Sequence, residues 1–177
     1  SEGKSRILGM DLLVKKRIQN YRFWIGYSFN DVNFTFDAVQ EDSFSGNNDI
    51  THSFRISNSI QFNGLQLSLG WQYRTGLPVT LIENYDEETQ QVNFGPLNAG
   101  RLPDFHRLDA SVVYQFGLGE RNSRMQLGFS VLNIYNRIVP LSMIHQTSQQ
   151  NGELILEQVI HRRSLGLTPN FTLRVFF

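Results

Sequence analysis

The amino-acid sequence predicts an all-β, antiparallel fold in which about seven strands follow one another up and down. Three observations predict it. Hydrophobic residues recur at every second position along seven runs. An Asn-Gly pair separates two of these runs, and the connections between runs alternate between short and long. No stretch has the 3.6-residue period of an amphipathic helix, so no helix is predicted.

The composition is compatible with this fold and excludes several classes of protein. The 177 residues carry 16 basic and 16 acidic side chains, 40% hydrophobic residues, 18% charged residues and no cysteine. Zero net charge argues against a strongly basic nucleic-acid surface, and the absence of cysteine excludes disulfide frameworks and thiolate metal sites. No apolar run approaches the ~20 residues of a membrane helix. A transmembrane β-barrel passes that test, because its strands alternate apolar and polar residues.

The clearest pair of strands is Phe54–Phe62 and Leu65–Tyr73, which flank the Asn63-Gly64 dipeptide. Asn-Gly between two alternating runs predicts a two-residue hairpin, since both turn residues need positive φ. Asn58 is the one polar residue on the apolar side of this pair. Five further runs alternate in the same way: Leu8–Val14, Tyr21–Phe29, Leu108–Phe116, Met125–Val131 and Phe171–Phe177.

The second run changes phase at Asp31, where Val32, Phe34 and Phe36 become the apolar series. A β-bulge would produce this change, and so would the exit of the strand from its apolar environment.

The connections fall into two length classes. The short ones are Ile18–Asn20, Asn63–Gly64 and about Gly117–Ser123, and the long ones are about Asp37–Asn48, Leu81–Pro103 and Val139–Ser164. Within the last, Gln146–Gly152 is predicted to be the tip of a further hairpin. Regular alternation of tight turns with long loops is typical of an up-and-down barrel in an outer membrane.

Residue types on the two sides favour lipid on the apolar side. Trp71 with Tyr73, and Tyr114 with Phe116, place aromatic rings near strand ends, as in interfacial girdles. The opposite side is mostly Gln, Ser, Asn, Thr, Gly and Arg, which suits an aqueous lumen. The final strand carries apolar residues at every second position, similar to the terminal assembly signal of outer-membrane barrels: Phe171, Leu173, Val175 and Phe177.

Five segments together resemble the TonB-dependent outer-membrane receptors. Arg101–Tyr114 reads RLPDFHRLDASVVY and resembles that family's R-x-P-x-(Y/F)-H-R-L-D-x-S-x-x-Y pattern. Trp71–Thr80 resembles the family's W-x-Y-x-T-G-x-P-x-T strand, and Val131–Arg137 resembles its N-L-F-N strand. Leu167–Phe177 resembles its closing strand. Gly9–Lys16 resembles its G-x-E-L-x-x-K-K strand, with Asp11 in place of Glu. The order and spacing agree along the chain, in a style similar to the large transporters of Bacteroidetes-type Gram-negative bacteria.

The resemblance implies that residues 1–177 are the C-terminal third of a 22-strand barrel, with the plug domain and the earlier strands absent. It implies energised import of a siderophore, vitamin, glycan or peptide across the outer membrane. This segment would supply wall, lumen lining and external loops. The implied partners are outer-membrane lipid, the rest of the barrel and plug, TonB through the absent N-terminal part and the barrel assembly machinery, with no nucleic acid. Whether a surface lipoprotein is a further partner is left open by the sequence.

Two other classes of protein remain open at this point. The first is a complete outer-membrane barrel of eight strands, acting as an adhesin, a pore or a barrel enzyme, with Val139–Ser164 providing an additional strand. An odd count of seven strands counts against it. The second is a soluble β-barrel or sandwich binding module with the apolar side inward, for which the amide-rich, weakly charged outer surface would be unusual.

Candidate binding residues lie on the lumen side and in one loop. Arg55, Arg74, Arg107 and Asp109 share the lumen phase and are candidates for lining the solute path or contacting the plug, with a structural wall pair as the alternative for Arg107 and Asp109. Glu83, Tyr85 and Asp86 are candidates for external ligand contact. With Glu87 and Glu88, the acidic side chains could also bind Ca²⁺, but they lack the spacing of a calcium loop, and a solvated loop is the simpler interpretation.

No catalytic residue, metal site or cofactor is predicted. The four histidines are dispersed, and no pair of them has ligand spacing. His106, Asp109 and Ser111 are the residue types of a hydrolytic triad, but His106 is an odd number of residues from the other two. It therefore points to the opposite face of the same strand, so the protein is predicted not to be an enzyme.

Overall fold

The computed structural model describes residues 2–86, 89, 91–119, 123–150 and 153–177. In these residues the chain is all-β, with antiparallel pairing throughout and no helix. The strands are β1 (Lys4–Ile18), β2 (Tyr21–Phe36), β3 (Gln40–Ser45), β4 (His52–Phe62), β5 (Leu65–Arg74), β6 (Pro78–Val79), β7 (Ile82–Asp86), β8 (Gln91–Phe94), β9 (Gly100–Arg101), β10 (Phe105–Gly117), β11 (Arg124–Leu132), β12 (Pro140–Gln150), β13 (Glu153–Arg163) and β14 (Thr168–Phe176). In this described part, no helix is suited in length and hydropathy to crossing a bilayer.

The seven predicted runs are confirmed as the strands of one sheet in the order β1-β2-β4-β5-β10-β11-β14, with β3 paired to β2. Because spatial order follows chain order, the sheet is an up-and-down meander. Its short connections lie at one end, which we call the turn end. The long connections lie at the other, which we call the loop end.

The long connections, predicted as loops, are more structured than expected. They contain β3, the pairs β6–β9 and β7–β8, and the hairpin β12–β13. The predicted hairpin is confirmed, but Gln146–Gln150, predicted to belong to its tip, are strand residues of β12 that pair with Glu153–Glu157 of β13. Strands of two to six residues are too short to show a period in the sequence, which explains why β3 and β6–β9 were missed.

The register aligns the alternation of neighbouring strands, so that one face of the sheet is mainly apolar and the other mainly polar. Directly opposite residues of an antiparallel pair share a face. Ile56 lies opposite Ile25 and Trp71, and Trp71 lies opposite Leu108. We call this side the apolar face. Its counterpart, the polar face, carries the row Gly26, Arg55, Gln72 and Arg107.

The predicted Asn-Gly turn is confirmed. Asn63 and Gly64 have φ values of 46° and 79°, the left-handed region that a two-residue hairpin of this twist requires. A Cβ at Gly64 would also lie 2.4 Å from the Gln115 carbonyl oxygen of the neighbouring hairpin. Glycine is therefore required here for both conformation and space.

The change of phase at Asp31 is not a bulge. The β1–β2 register runs without interruption from Lys4–Thr35 to Ile18–Tyr21. Instead, the strand continues and the apolar residues move to the polar face. There Phe34 and Phe36 form a cluster with Phe44 of β3, with ring centroids 6.1–6.3 Å apart.

The main sheet has no hydrophobic core. Among residues whose side chains are described, the buried large hydrophobic ones are Leu102 and Val139, both 5% exposed and both in long connections. On the apolar face, Leu69, Phe129 and Phe171 are 45%, 47% and 70% exposed. No second described sheet covers this face, unlike a sandwich.

Candidate functional site

Three arginines meet on the polar face, and we call them with Gln72 the arginine group. Gln72 lies opposite Arg55 of β4 on one side and opposite Arg107 of β10 on the other. Arg74, two residues along β5, is diagonal to both, a Cα separation of about 7–8 Å. The sequence placed Arg55, Arg74, Arg107 and Asp109 in one phase, and the register brings them together on three adjacent strands.

Arg107 is the paired member of the group. Its Nε and Nη2 each lie 3.0 Å from Oδ2 of Asp109. When the Gln72 amide is oriented with its oxygen toward the guanidinium, that oxygen accepts from Nη2 and Nε at 2.9 and 3.0 Å. Both charged side chains are half-buried, so this is a built ion pair rather than a loose surface contact.

Arg55 and Arg74 have no carboxylate partner in the described part of the chain. The guanidinium carbon of Arg74 lies 5.1 Å from the centre of the Phe105 ring, a cation–π arrangement. Arg55 is exposed on the polar face. The arginine group therefore carries two positive charges beyond the one that Asp109 neutralises.

Asp109 also ties the group to the next connection. Its Oδ1 accepts the backbone N–H of Asn133 at 2.8 Å. The Asn133 side chain, 2% exposed, donates to the carbonyl oxygens of Arg137 and Leu165 at 2.9 and 2.8 Å. Asn133 has a φ of 55°, a conformation that asparagine tolerates better than most residues. Asp109 thus carries a charge on the polar face and also holds the backbone of the connection that follows β11.

A second polar cluster lies at the loop end, and we call it the connection block. The guanidinium of Arg101 bonds to the Asp49 carboxylate, and to the carbonyl oxygens of Asp49 and Gly76 at 3.0 and 3.1 Å. Asp49 is 3% exposed and Arg101 is 36% exposed. Asn98 adds hydrogen bonds of 2.7 Å to Ser45 and Asn47. The first two long connections are therefore joined into one unit.

Asp104 connects the connection block to the sheet. Its carboxylate accepts the Tyr73 hydroxyl at 2.7 Å and the Gly76 N–H at 3.1 Å. The hydrogen bond from Tyr73 lowers the pKa of Asp104 below its ordinary value, and the Gly76 N–H and the nearby Arg137 and Arg101 charges act in the same direction. Asp104 is therefore held as a carboxylate.

The external-loop candidates lie in a separate two-stranded sheet, β7–β8. Glu83 is exposed on β7, and the backbone N–H of Thr89 donates to the Asp86 carboxylate at 3.3 Å. The side chain of Tyr85, with Glu87 and Glu88, lies outside the described residues. No group of three or more acidic or histidine side chains in the described residues is arranged to hold a metal ion.

The final strand presents its alternating residues as predicted. Phe171, Leu173 and Val175 lie opposite Phe129, Leu127 and Met125 of β11, and so belong to the apolar face. All three are exposed, as is Phe177, which follows the end of β14.

The residues of the excluded triad are placed as expected. His106 lies opposite Tyr73, on the apolar face, and its Nδ1 is 2.8 Å from the Tyr135 hydroxyl. Asp109 and Ser111 lie opposite Gly70 and Ser68, on the polar face. The three side chains therefore have no common site.

Sequence reasoning missed several residues of these clusters: Asp49, Gln72, Arg101, Asp104 and Asn133. Gln72 could have been predicted from the sequence, because the alternation pattern places it on the same face as Arg74 and Arg107. Asp49 and Arg101 are 52 residues apart in different connections, and nothing in the alternation pattern relates them.

Comparison with known proteins gave no match among family models, curated proteins or solved structures.

Proposed function

We propose that this chain is part of the wall of a transmembrane β-barrel in a bacterial outer membrane. Specifically, it would be the C-terminal segment of a TonB-dependent receptor. In that role it contributes wall, lumen lining and external connections to an importer of a siderophore, vitamin, glycan or peptide. The role is transport without catalysis. The observation that carries the proposal is the uncovered apolar face of the seven main strands.

The dimensions of the apolar face match a bilayer. Its unbroken series covers nine residues on β2 (Tyr21–Phe29), β5 (Leu65–Tyr73) and β10 (Leu108–Phe116). Nine residues make about 26 Å along a strand, or about 20 Å along a barrel axis at a tilt of ~40°. A transmembrane strand needs ~9–11 residues. Seven strands at a spacing of ~4.8 Å and a length of about 26 Å give a face of roughly 800 Å², which exceeds the ~300–600 Å² of the largest apolar patch on a typical water-soluble monomer.

The ends of the apolar face differ from its middle in the way a bilayer requires. At the loop end Trp71 stacks on Tyr73 at 6.2 Å and meets Phe54 edge-on at 5.9 Å. At the turn end Tyr114 stacks on Phe116 at 5.5 Å. Between them the β5 and β10 residues are aliphatic, whereas Phe23 of β2, Phe129 of β11 and Phe171 of β14 lie at this middle level on other strands. Aromatic rings at two levels with aliphatic residues between them correspond to two interfaces and a hydrocarbon core.

The free edges favour a large barrel over a complete small one. In the described residues β1 and β14 are the two ends of the sheet and are not paired with each other. The hairpin β12–β13 pairs within itself rather than adding an eighth strand to the meander. Unpaired strand edges do not persist in hydrocarbon, so further strands are needed to close the barrel.

Alternating cysteine labelling tests the membrane proposal. The sequence contains no cysteine, so single cysteines can be placed in turn along β5 without competing thiols in this segment. In intact outer membranes, we expect a membrane-impermeant maleimide to label cysteine at Gln66, Ser68 and Gln72, and not at Leu67, Leu69 and Trp71. Equal labelling of both series in a protein that is soluble without detergent would contradict the proposal.

The transport proposal has its own test. We expect the full-length protein to be retained by immobilised periplasmic domain of TonB, and cells to lose uptake through it when TonB is deleted. A protein that is inserted in the outer membrane but is not retained and mediates uptake without TonB would instead be a passive pore.

A further inference from the structure

Charge is distributed unevenly along the loop end of the sheet. In residues 37–51 and 75–104, which form the first two long connections, the described part has Arg101 as its only basic residue, and Arg101 is paired with Asp49. The acidic residues described there are Asp37, Glu41, Asp42, Asp49, Glu83, Asp86 and Asp104. This part of the loop end is therefore acidic.

The third long connection carries the opposite charge where it meets the sheet. We call residues 133–144 and 159–167 the hairpin base, because they lead into and out of the β12–β13 hairpin. They contain no acidic residue, and their basic residues are Arg137, His161, Arg162 and Arg163. Arg162 and Arg163 are exposed, and none of the three arginines has a carboxylate partner in the described part of the chain. The acidic residues of the hairpin, Glu153 and Glu157, belong to the part of β13 nearer its tip.

Backbone contacts bring the two segments of the hairpin base together. The Val139 N–H donates to Oγ of Ser164 at 3.0 Å, and the Ser164 N–H donates to the Val139 carbonyl oxygen at 2.9 Å. Arg137, Arg162 and Arg163 each lie within two residues of this contact. They therefore form one basic patch, although the segments are distant in sequence.

The basic patch adjoins the apolar face at its loop end. The Tyr135 hydroxyl lies 2.8 Å from Nδ1 of His106, which is on that face. Nη2 of Arg137 donates to the Asp104 carbonyl oxygen at 3.3 Å, and the Asp104 carboxylate accepts the hydroxyl of Tyr73, also on that face. Arg137 therefore lies beside the aromatic residues at the edge of the apolar face.

Exposed apolar side chains accompany the basic patch. Ile138, Leu165 and Leu167 are 53%, 64% and 50% exposed. Leu167 continues the alternation of Phe171 and Leu173 just before β14 begins. The apolar surface thus extends from the final strand to the three arginines. Cations beside exposed hydrocarbon fit a ligand that has both anionic groups and an apolar part.

On the basis of the proposed function, which places the loop end outside the cell, we propose that the hairpin base binds a phosphorylated lipid of the outer leaflet. The guanidinium groups of Arg137, Arg162 and Arg163 contact its phosphates, and its acyl chains lie along Leu167 and Phe171. Guanidinium groups match phosphate oxygens in a bidentate manner. Basic clusters at a membrane surface bind anionic lipid headgroups in this way.

The other occupants fit the hairpin base less well. A dissolved anion would use the arginines but leave Ile138, Leu165 and Leu167 without a contact. A second copy related by a two-fold axis would place one basic patch against another, and like charges repel. Lipids of the inner leaflet would meet the turn end of the sheet, not the loop end.

Native mass spectrometry of the full-length protein, purified in detergent and incubated with bis-phosphorylated lipid A, tests the proposal. We expect lipid A to be retained, and Arg162→Gln with Arg163→Gln to lower the retained fraction at least threefold. Adding Arg137→Gln should lower it at least tenfold. The unchanged protein should retain dephosphorylated lipid A as weakly as the triple variant retains the phosphorylated form. The double variant keeps the Arg137–Asp104 contact, so its loss of lipid does not depend on that contact.

The matched control is Lys15→Gln, Arg17→Gln and Arg22→Gln, which removes three positive charges at the turn end and should leave retention unchanged. An outer-membrane protein whose lipid A retention does not depend on the three arginines or on the phosphates overturns this inference alone. Equal retention of phosphatidylglycerol overturns the assignment to the outer leaflet, and full displacement of lipid A by an equal concentration of pyrophosphate overturns it in favour of a solute site. A protein that does not fractionate with the outer membrane overturns the proposed function as well.

Discussion

The main sheet and the connections of this protein are organised in opposite ways. On the sheet, Leu69, Phe129 and Phe171 are largely exposed, and no described large hydrophobic side chain of a main strand is buried. In the connections, by contrast, Leu102 and Val139 are buried together with the polar side chains of Asp49 and Asn133. Within the described residues, buried side chains therefore lie in the connections and not in the main strands. The proposed membrane wall requires this difference, because it gives the sheet an apolar neighbour and leaves the connections in water.

A charge placed on the apolar face should have the largest effect on the stability of the sheet. We expect Leu69→Arg, in the middle of the aliphatic band, to reduce the free energy of unfolding of the bilayer-inserted protein by about 2–4 kcal/mol. Ser68→Arg, one residue away on the polar face, should change it by less than about 1 kcal/mol. Denaturant titration of both variants in lipid vesicles measures the difference, and equal costs would contradict a lipid-facing apolar face.

Removal of the buried ion pair tests the connections instead. We expect Arg101→Ala to destabilise the connection block by about 2–3 kcal/mol, because it leaves the Asp49 carboxylate buried without its cation. This is at or below the lower end of the range of about 3–5 kcal/mol for a buried pair, since Arg101 is 36% exposed. Protease cleavage within residues 75–104 reports this local opening, while insertion of the sheet should be unaffected.

The control for that experiment is the double variant Asp49→Asn with Arg101→Ala. We expect it to be less susceptible to cleavage than Arg101→Ala alone, because no buried charge remains. A double variant as susceptible as the single one would mean that packing of the Arg101 stem, rather than the charge, holds the block together.

Loss of the Tyr73–Asp104 hydrogen bond, which joins the sheet to the connection block, should have the smallest effect on stability. The Tyr73 hydroxyl is the first cause of the lowered pKa of Asp104, so Tyr73→Phe should raise the Asp104 pKa toward its ordinary value. Since the folded-state pKa is lowered, the stabilisation from Asp104 is present above the ordinary pKa and is lost as pH falls through the folded value. A carboxyl carbon NMR titration of Asp104 in detergent micelles measures this, and an unchanged pKa would assign the shift to the remaining partners.

Much of the sheet could be predicted from the sequence because period-two alternation is a local signal. It located all seven main strands and the Asn63-Gly64 turn, and it placed Arg55, Arg74, Arg107 and Asp109 on one side. The connection block could not be predicted in this way. Its bonds join residues distant in sequence, such as Asp49 with Arg101 and Asn98 with Ser45, and its strands are too short to alternate. The phase change at Asp31 was visible, but only the uninterrupted β1–β2 register excluded a bulge.

The position of β14 in the sheet has a consequence for the order in which the strands assemble. The pairs β1–β2, β4–β5 and β10–β11 are closed by connections of at most six residues, so each can form early as a local hairpin. β14 instead pairs with β11 across the whole excursion that contains β12 and β13. The entropic cost of closing this longer loop is lower once the β12–β13 hairpin has formed, because the effective loop is then shorter. We therefore expect formation of the β12–β13 hairpin to precede and speed the pairing of β14 with β11.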